Sequence, residues 1–381
     1  MRRPLRLSLL VAGVALASWS LAPACSLCPS GFQQTLTFRE EASQAFARTI
    51  LYGKVLESDL RPDGSGSCKY EILDVLRPDP VLGDKKELVL PRYVPVLDKK
   101  QPHYLLFCDV FNKKIDAYRG VLVQGDAVVS YLKKATALPN DPVARLRFYF
   151  EYLEHAEKEI ATDAFLEFAK ADDRYIGEAA RAFPAEKVRG WLKSDKTPPE
   201  RVGVYAFLLG VCGTAEDASL LQAMLNDPSD RMRNAYDGIL SGLLHQKPRE
   251  GWDLVHAGLA DGRTALPLRL AMVRAVRVLY TWRPEQNKAD TLKAERTILG
   301  QGELADLAIE DLRRWKVWDL TGDVLGLWGK KGYTAPIMER AIVRYALTNK
   351  TDAKAQAFVA ERRKDKPDLV KEVEEGLEYE K

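Results

Sequence analysis

The residues of this chain with the widest chemical range are its five cysteines, Cys25, Cys28, Cys68, Cys108 and Cys212. The first two form a Cys-x-x-Cys in Ala24-Cys25-Ser26-Leu27-Cys28-Pro29. That spacing suits a disulfide, a redox pair, half of a metal site or, behind an export signal, a lipid attachment point at Cys25. A redox pair needs a low-pKa thiolate, typically at a helix N-terminus of a thioredoxin-like unit, and residues 25–39 carry no such pattern. Haem attachment needs His directly after the second Cys, where Pro29 stands. A four-Cys zinc site joins two closely spaced pairs, whereas Cys68 and Cys108 are far apart in the chain. In an oxidising compartment an even set makes a disulfide framework, so Cys25, Cys28, Cys68 and Cys108 are the disulfide candidates, with three pairings open. Cys212 ends the apolar helical stretch Val204–Cys212 and reads as a small buried hydrophobe. Lipidation of Cys25 is the rival: Ala24 fits a bacterial lipidation site, Ala22 and Pro23 do not, and using Cys25 would leave three thiols in the next segment.

Little else points to chemistry. His103, His155, His245 and His256 are the only histidines. No His-Glu-x-x-His, Gly-x-Ser-x-Gly or phosphate-binding loop occurs, and Gly64-Ser65-Gly66-Ser67 lacks the Lys and following helix that a phosphate cradle requires. His155 reads as a solvated residue at the end of a helix over 148–154; His245 and His256, eleven apart near a Pro-broken loop, are a weak metal pair. No catalytic residue, metal ligand or cofactor is assigned. Arg313-Arg314-Trp315-Lys316-Val317-Trp318, with Trp328 beyond, sets cations beside aromatics, the composition of an interface core, and Arg313, Arg314, Trp315, Trp318 and Trp328 are the partner-binding candidates. The competing reading packs the aromatics between helices and leaves the cations solvated.

What must position these residues is legible in outline. Three arginines precede an apolar run, Leu7–Ala22, that ends in Ala22-Pro23-Ala24, which is a secretory signal with cleavage after Ala24. The run is broken by Gly13, Ser18, Ser20 and Pro23, and is short for a membrane span. Export places the mature chain in a bacterial periplasm or cell envelope, with membrane contact expected only through a lipid on Cys25. With 57 basic against 54 acidic residues the formal net charge is +3, which gives nucleic acid no hold. From Ile50 to about Ala137 short strands alternate with Gly and Pro turns. These are 50–56, 68–76 with a bulge near Leu73, the proline-bounded edge strand 87–96, 103–108, 120–123 and 127–132. A short helix over 40–48 precedes them. The character changes at Leu138–Pro142, where Asp141 is an N-cap with Pro142 at the first helical position. Helix pairs follow, 201–212 with 216–226, 230–246 with 249–259, 266–282 with a partner before 300, 303–317 with 318–329 and 335–348 with 352–363. Their starts lie about 30–37 residues apart, the period of two-helix solenoids.

Two resemblances add to this. Gly213–Leu243 has a Gly-x-x-Glu-Asp-Ala turn, a Leu-rich helix, an Asn-Asp-Pro break and an Arg-led next helix, and with Thr334–Leu347 it resembles the HEAT repeat over residues 141–365. The cysteines behind the signal, the helix before Thr49–Ser58, and the segments Cys68–Asp79, Gly83–Pro91 and Pro102–Cys108 together are similar to the netrin-like domain, the OB-type barrel of tissue inhibitors of metalloproteinases. The chain resembles exported bacterial proteins that join the two. The expected architecture is multidomain: signal peptide 1–24; a small all-β OB-like barrel with a short N-terminal helix, 25–137; an all-α HEAT-like solenoid, 141–365; and an acidic tail or last helix, 366–381. The expected function is a non-enzymatic scaffold whose repeats bind a protein partner. One alternative is an envelope lipoprotein scaffold held through Cys25. The other is a peptidase inhibitor: the resemblance implies zinc chelation by the amine and carbonyl of Cys25, although those inhibitors carry Cys-x-Cys.

Overall fold

The computed structural model describes residues 25–28, 34–95 and 101–380. The signal segment 1–24 lies outside them. A five-stranded antiparallel sheet comes first, built from β1 (Thr49–Leu60), β2 (Gly66–Arg77), β3 (Glu87–Leu90), β4 (His103–Phe111) and β5 (Lys114–Val123), in the order β3-β2-β1-β4-β5. Helices make up the rest. β1 and β2 are long, and their ladder slips where Leu76, Leu73 and Leu56 are left without a partner, the first two on the side expected from the broken alternation. Gly53 stands at one slip, where a Cβ would lie 2.6 Å from the Glu71 carbonyl oxygen. The two edges approach each other, with Arg92, just past β3, and Asp116 on β5 4.0 Å apart. Leu51, Val55, Tyr70, Leu88, Leu106 and Ile115 belong to the buried core of the sheet.

Three local expectations change. Residues 127–132, read as a last strand, open a helix, Ala127–Thr136. Its β-branched valines suggested a strand, but Val128, Tyr131, Leu132 and Ala135 fall at i, i+3, i+4 and i+7 and are all buried, so the helical face wins over local propensity. The helix expected over 40–48 is Phe38–Ser43, fixed by a capping box between Thr37 and Glu40 and ended at Gln44. Pro91 and Pro95 hold the third strand to four residues. Asp141 does cap the helix Pro142–Phe150, accepting from the amides of Val143 and Ala144.

Most helices fall close to the predicted places, in Pro199–Cys212 with Ala215–Leu225, Tyr236–Gln246 with Pro248–Ala260, Leu266–Trp282 with Pro284–Leu299, Ala305–Arg314 with Thr321–Leu325, and Pro336–Thr348 with Ala353–Asp365; but the helix expected over 230–246 is split, Asp230–Arg233 standing apart, and that expected over 318–329 shrinks to the five residues Thr321–Leu325. Pro367–Glu378 is a last helix, not a tail. Helix 199–212 packs on 236–246, and 236–246 on 266–282. The first contact is close because it is glycine on glycine: a Cβ on Gly238 would lie 2.0 Å from the Gly203 carbonyl oxygen, and one on Gly210 2.2 Å from the Gly242 Cα.

The chain divides into two compact units, residues 23–294 and a second that holds 295–381. The boundary does not follow the change of periodicity at 138–142, because charged side chains bind the sheet to the first helices. The Arg39 guanidinium meets Glu167 at 3.1 Å, Lys170 meets Glu40 at 2.5 Å, and Thr37 Oγ1 donates to Glu167 at 2.7 Å. Asp163 accepts from the Phe38 amide at 2.6 Å and from the Tyr131 hydroxyl at 2.7 Å. Burial pushes its carboxyl up to about 7 against the pull of those two donors.

Candidate functional site

The structure bonds Cys25 to Cys28, with Cα atoms 5.5 Å apart, and closes the loop with a Cys28 amide to Cys25 carbonyl hydrogen bond of 3.4 Å. Cys68 and Cys108 are separate buried thiols in the sheet core. The four-cysteine framework is therefore replaced by one short disulfide loop. β1 explains why: Cys68 lies opposite Ser58 and Cys108 opposite Thr49, so the two are not cross-strand neighbours. Cys68 Sγ instead accepts from the Val94 amide at 3.1 Å, and burial pushes the Cys108 thiol up to about 12. Cys212 ends a helix buried nearly throughout, but is itself only half-buried, with its thiol pushed up to about 11.

The disulfide loop is not an edge of the sheet. It lies on the helices: the Ser26 amide donates to Asp173 Oδ1 at 3.0 Å, and Cys25 is 1% exposed. Asp173 opens the helix Asp173–Ala180, whose N-cap Asp172 accepts from the Arg174 amide. Asp173 is buried, and desolvation pushes its carboxyl up to about 7, the donors of Ser26 pulling the other way and Asp172 adding to the rise. Beside the loop runs a groove of about 570 Å³ lined by Pro199, Glu200, Gly203, Asn234, Asp237 and Arg274. Its one internal ion pair, Arg274 to Asp237 at 2.5 Å, ties helix 266–282 to helix 236–246. Nothing in the local sequence marks Asp173; as the second residue of Asp172-Asp173 it reads as part of a helix cap.

A second cleft, about 640 Å³, lies between the sheet and the helix 127–136. The Tyr52 hydroxyl and His103 Nδ1 share a hydrogen bond of 2.5 Å with their rings edge-on, and Lys133 reaches Asp74 at 2.8 Å across the opening. Burial, then Asp126 and Glu157, raise the Tyr52 phenol above its ordinary value. Leu73 and Val129 supply apolar wall. This is a polar cleft that can hold a small group by hydrogen bonds and contact. Only the ladder register, which sets Tyr52 opposite Leu105 and His103 opposite Lys54, brings the pair together. His155 lies in the loop after Phe150, its Nδ1 accepting from the Glu157 amide; His256 contacts Asp290 at 3.0 Å; burial, then Arg283 and Arg181, push His245 down to about 4. Among the described residues no cluster of His, Cys, Asp or Glu is grouped to hold a metal ion.

The Arg-Trp strip is inside the packing of the second unit. Arg313 is 7% exposed and pairs with Glu310 at 2.8 Å and Glu380 at 2.9 Å, so it is not the solvated cation of the packing alternative. Trp318 stands edge-on to Tyr345, 5.1 Å between centroids. Trp328 stands edge-on to Phe358, with the Arg362 guanidinium 4.9 Å from its ring centre. Trp315 is half-buried at the end of its helix, and of the five candidates Arg314 alone is exposed. The strip can therefore present a single cation to a partner, not an aromatic platform. Comparison with known proteins finds no family model that matches the chain, no similar curated protein and no similar solved structure.

Proposed function

We propose that the chain is an exported, non-catalytic scaffold in which an OB-like, netrin-type barrel precedes HEAT-like helix pairs, and that the pairs bind a protein partner. The observation that carries this reading is a side-chain register between successive pairs. Arg231 donates to the Thr197 carbonyl, Arg274 to Asp237 and Gln246 to the Leu209 carbonyl, at separations of 34, 37 and 37 residues. Within the second unit Tyr333 donates to the Leu299 carbonyl and Arg344 to Glu310, both at 34. Links recurring at separations of 34 to 37 residues are what stacked two-helix units make, and such stacks offer long surfaces to partners. Anchoring or inhibition through Cys25 finds less support, since that residue is buried and bonded to Cys28.

Site-specific photo-crosslinking in cells tests it. Cross-linkers replacing the exposed Leu254 and Leu266 should each give a discrete adduct with the same envelope protein. Leu254→Glu should abolish capture by the cross-linker at 266. Adducts with copies of this chain alone, or none at either position, would overturn the scaffold reading.

A further inference from the structure

Asp173 is a buried carboxyl, 2% exposed, that forms no ion pair among the described residues: it accepts from Ser26, and of its charged sequence neighbours Asp172 is a like charge while the Arg174 guanidinium turns away to Tyr175. The groove beside the disulfide loop adds Glu200 and one cation, Arg274, which is already taken by Asp237. A buried anion left in that state is costly, and natural proteins normally give it a counter-ion. The missing charge has an obvious source one residue before Ser26. Successive backbone nitrogens are at most about 3.7 Å apart, so the Cys25 nitrogen lies within about 7 Å of Asp173 Oδ1. Cys25 is also the residue that cleavage after Ala22-Pro23-Ala24 would place first.

We infer that removal of the export signal completes the fold: the α-ammonium created at Cys25 is the counter-ion of Asp173. This rests on the exported reading above, in particular on cleavage after Ala24. Hydrolysis of the Ala24–Cys25 peptide bond by an export peptidase consumes one water; Ala24 leaves as a carboxylate and the Cys25 nitrogen takes up the protons that make it an ammonium. The precursor lacks this charge, because its Cys25 nitrogen is an amide. The disulfide to Cys28 and the Ser26 hydrogen bond hold the terminus at the acid, so the pairing needs little further ordering. Maturation thereby becomes a stabilising event for the helical layer, and an N-acylated Cys25 would forfeit it.

The test compares three forms of the oxidised protein: the precursor 1–381, the chain 24–381 with Ala24 retained, and the chain 25–381 with a native amine, released from a fusion by a protease that leaves Cys first. The form beginning at Cys25 should melt about 3–8 °C above the other two, a tenfold or greater change in the unfolding equilibrium. Asp173→Asn, which keeps an acceptor for Ser26, should erase that difference. The Cys25 amine, titrated by its rate of acylation, should have a pKa above the ordinary α-amino range of about 7.7–8.0. Equal melting of the three forms, a difference that survives in Asp173→Asn, or an amine of ordinary or lowered pKa would overturn the pairing. Intact mass of the exported protein tests the cleavage separately: a terminus at Cys25 supports it, and a lipid on Cys25 or a different terminus overturns the maturation step, whatever the in vitro comparison shows of the pairing.

Discussion

Asp163 offers the sharpest thermodynamic test of how the sheet is joined to the helices. Its two oxygens accept from the Phe38 amide and the Tyr131 hydroxyl, and burial raises its carboxyl to about 7. An ordinary Asp in the unfolded chain titrates near 3.9. A carboxyl whose folded pKa lies above its unfolded value binds the proton more tightly when folded, so stability falls as pH rises between the two values and changes little outside them. With these values the penalty is about 1–2 kcal/mol at pH 5 and about 4 kcal/mol at pH 8, a difference of about 2–3 kcal/mol. Asp163→Asn removes the titration while preserving both contacts, since the amide oxygen accepts from Phe38 and the amide nitrogen donates to a Tyr131 hydroxyl rotated to accept. Urea unfolding of both proteins at pH 5 and pH 8 isolates this site from Asp173, which titrates in both. The wild type should lose about 2–3 kcal/mol more than the variant between the two pH values. Parallel losses would show that Asp163 is an ordinary ionised acid and that the join does not depend on a buried, proton-binding carboxyl.

Other outcomes follow from the packing. Gly238→Ala puts a methyl against the Gly203 carbonyl and should cost about 2–3 kcal/mol or prevent folding, read as a fall in melting temperature; a neutral result would mean that the two helices are not in glycine contact. Titration of the unfolded, unreduced protein should find three thiols, Cys68, Cys108 and Cys212, with one disulfide-linked peptide carrying Cys25 and Cys28. A single thiol would restore the four-cysteine framework. Arg313→Ala leaves Glu380 without this partner and Glu310 to Arg344, and should destabilise the second unit by about 1 kcal/mol, less than a fully buried pair because both acids are partly solvated. No change in its unfolding would return Arg313 to the list of open partner contacts.

The parts legible in the sequence are those fixed by local chemistry. Asp141 before Pro142 gives a helix start, prolines give an edge strand, and most helices are close to their places because apolar spacing and Gly or Pro punctuation act within a few residues. The misread element, 127–136, is one where β-branched residues and a helical face compete and only burial decides. What was not legible depends on partners distant in sequence. Tyr52 meets His103 through ladder register, Arg313 meets Glu380 across 67 residues, and Ser26 meets Asp173 across 147. Composition gives no sign of such pairs.

The Cys-x-x-Cys shows what that difference means for function. Cysteines behind a signal and cysteines among strands suggest one covalent framework, because spacing alone cannot say which surface the first residues rest on. The structure rests them on the helices, so the short disulfide gives the sheet no support; what it does is fix the direction of the chain at Ser26. A four-residue loop encloses too little chain to stabilise by loop closure on the scale of a long-range bridge. Its contribution is then positional: it holds one backbone amide, and in a chain beginning at Cys25 one charge, beside a buried acid. The value of the motif therefore lies with Asp173, and substituting Asp173 should matter to this terminus as much as substituting either cysteine.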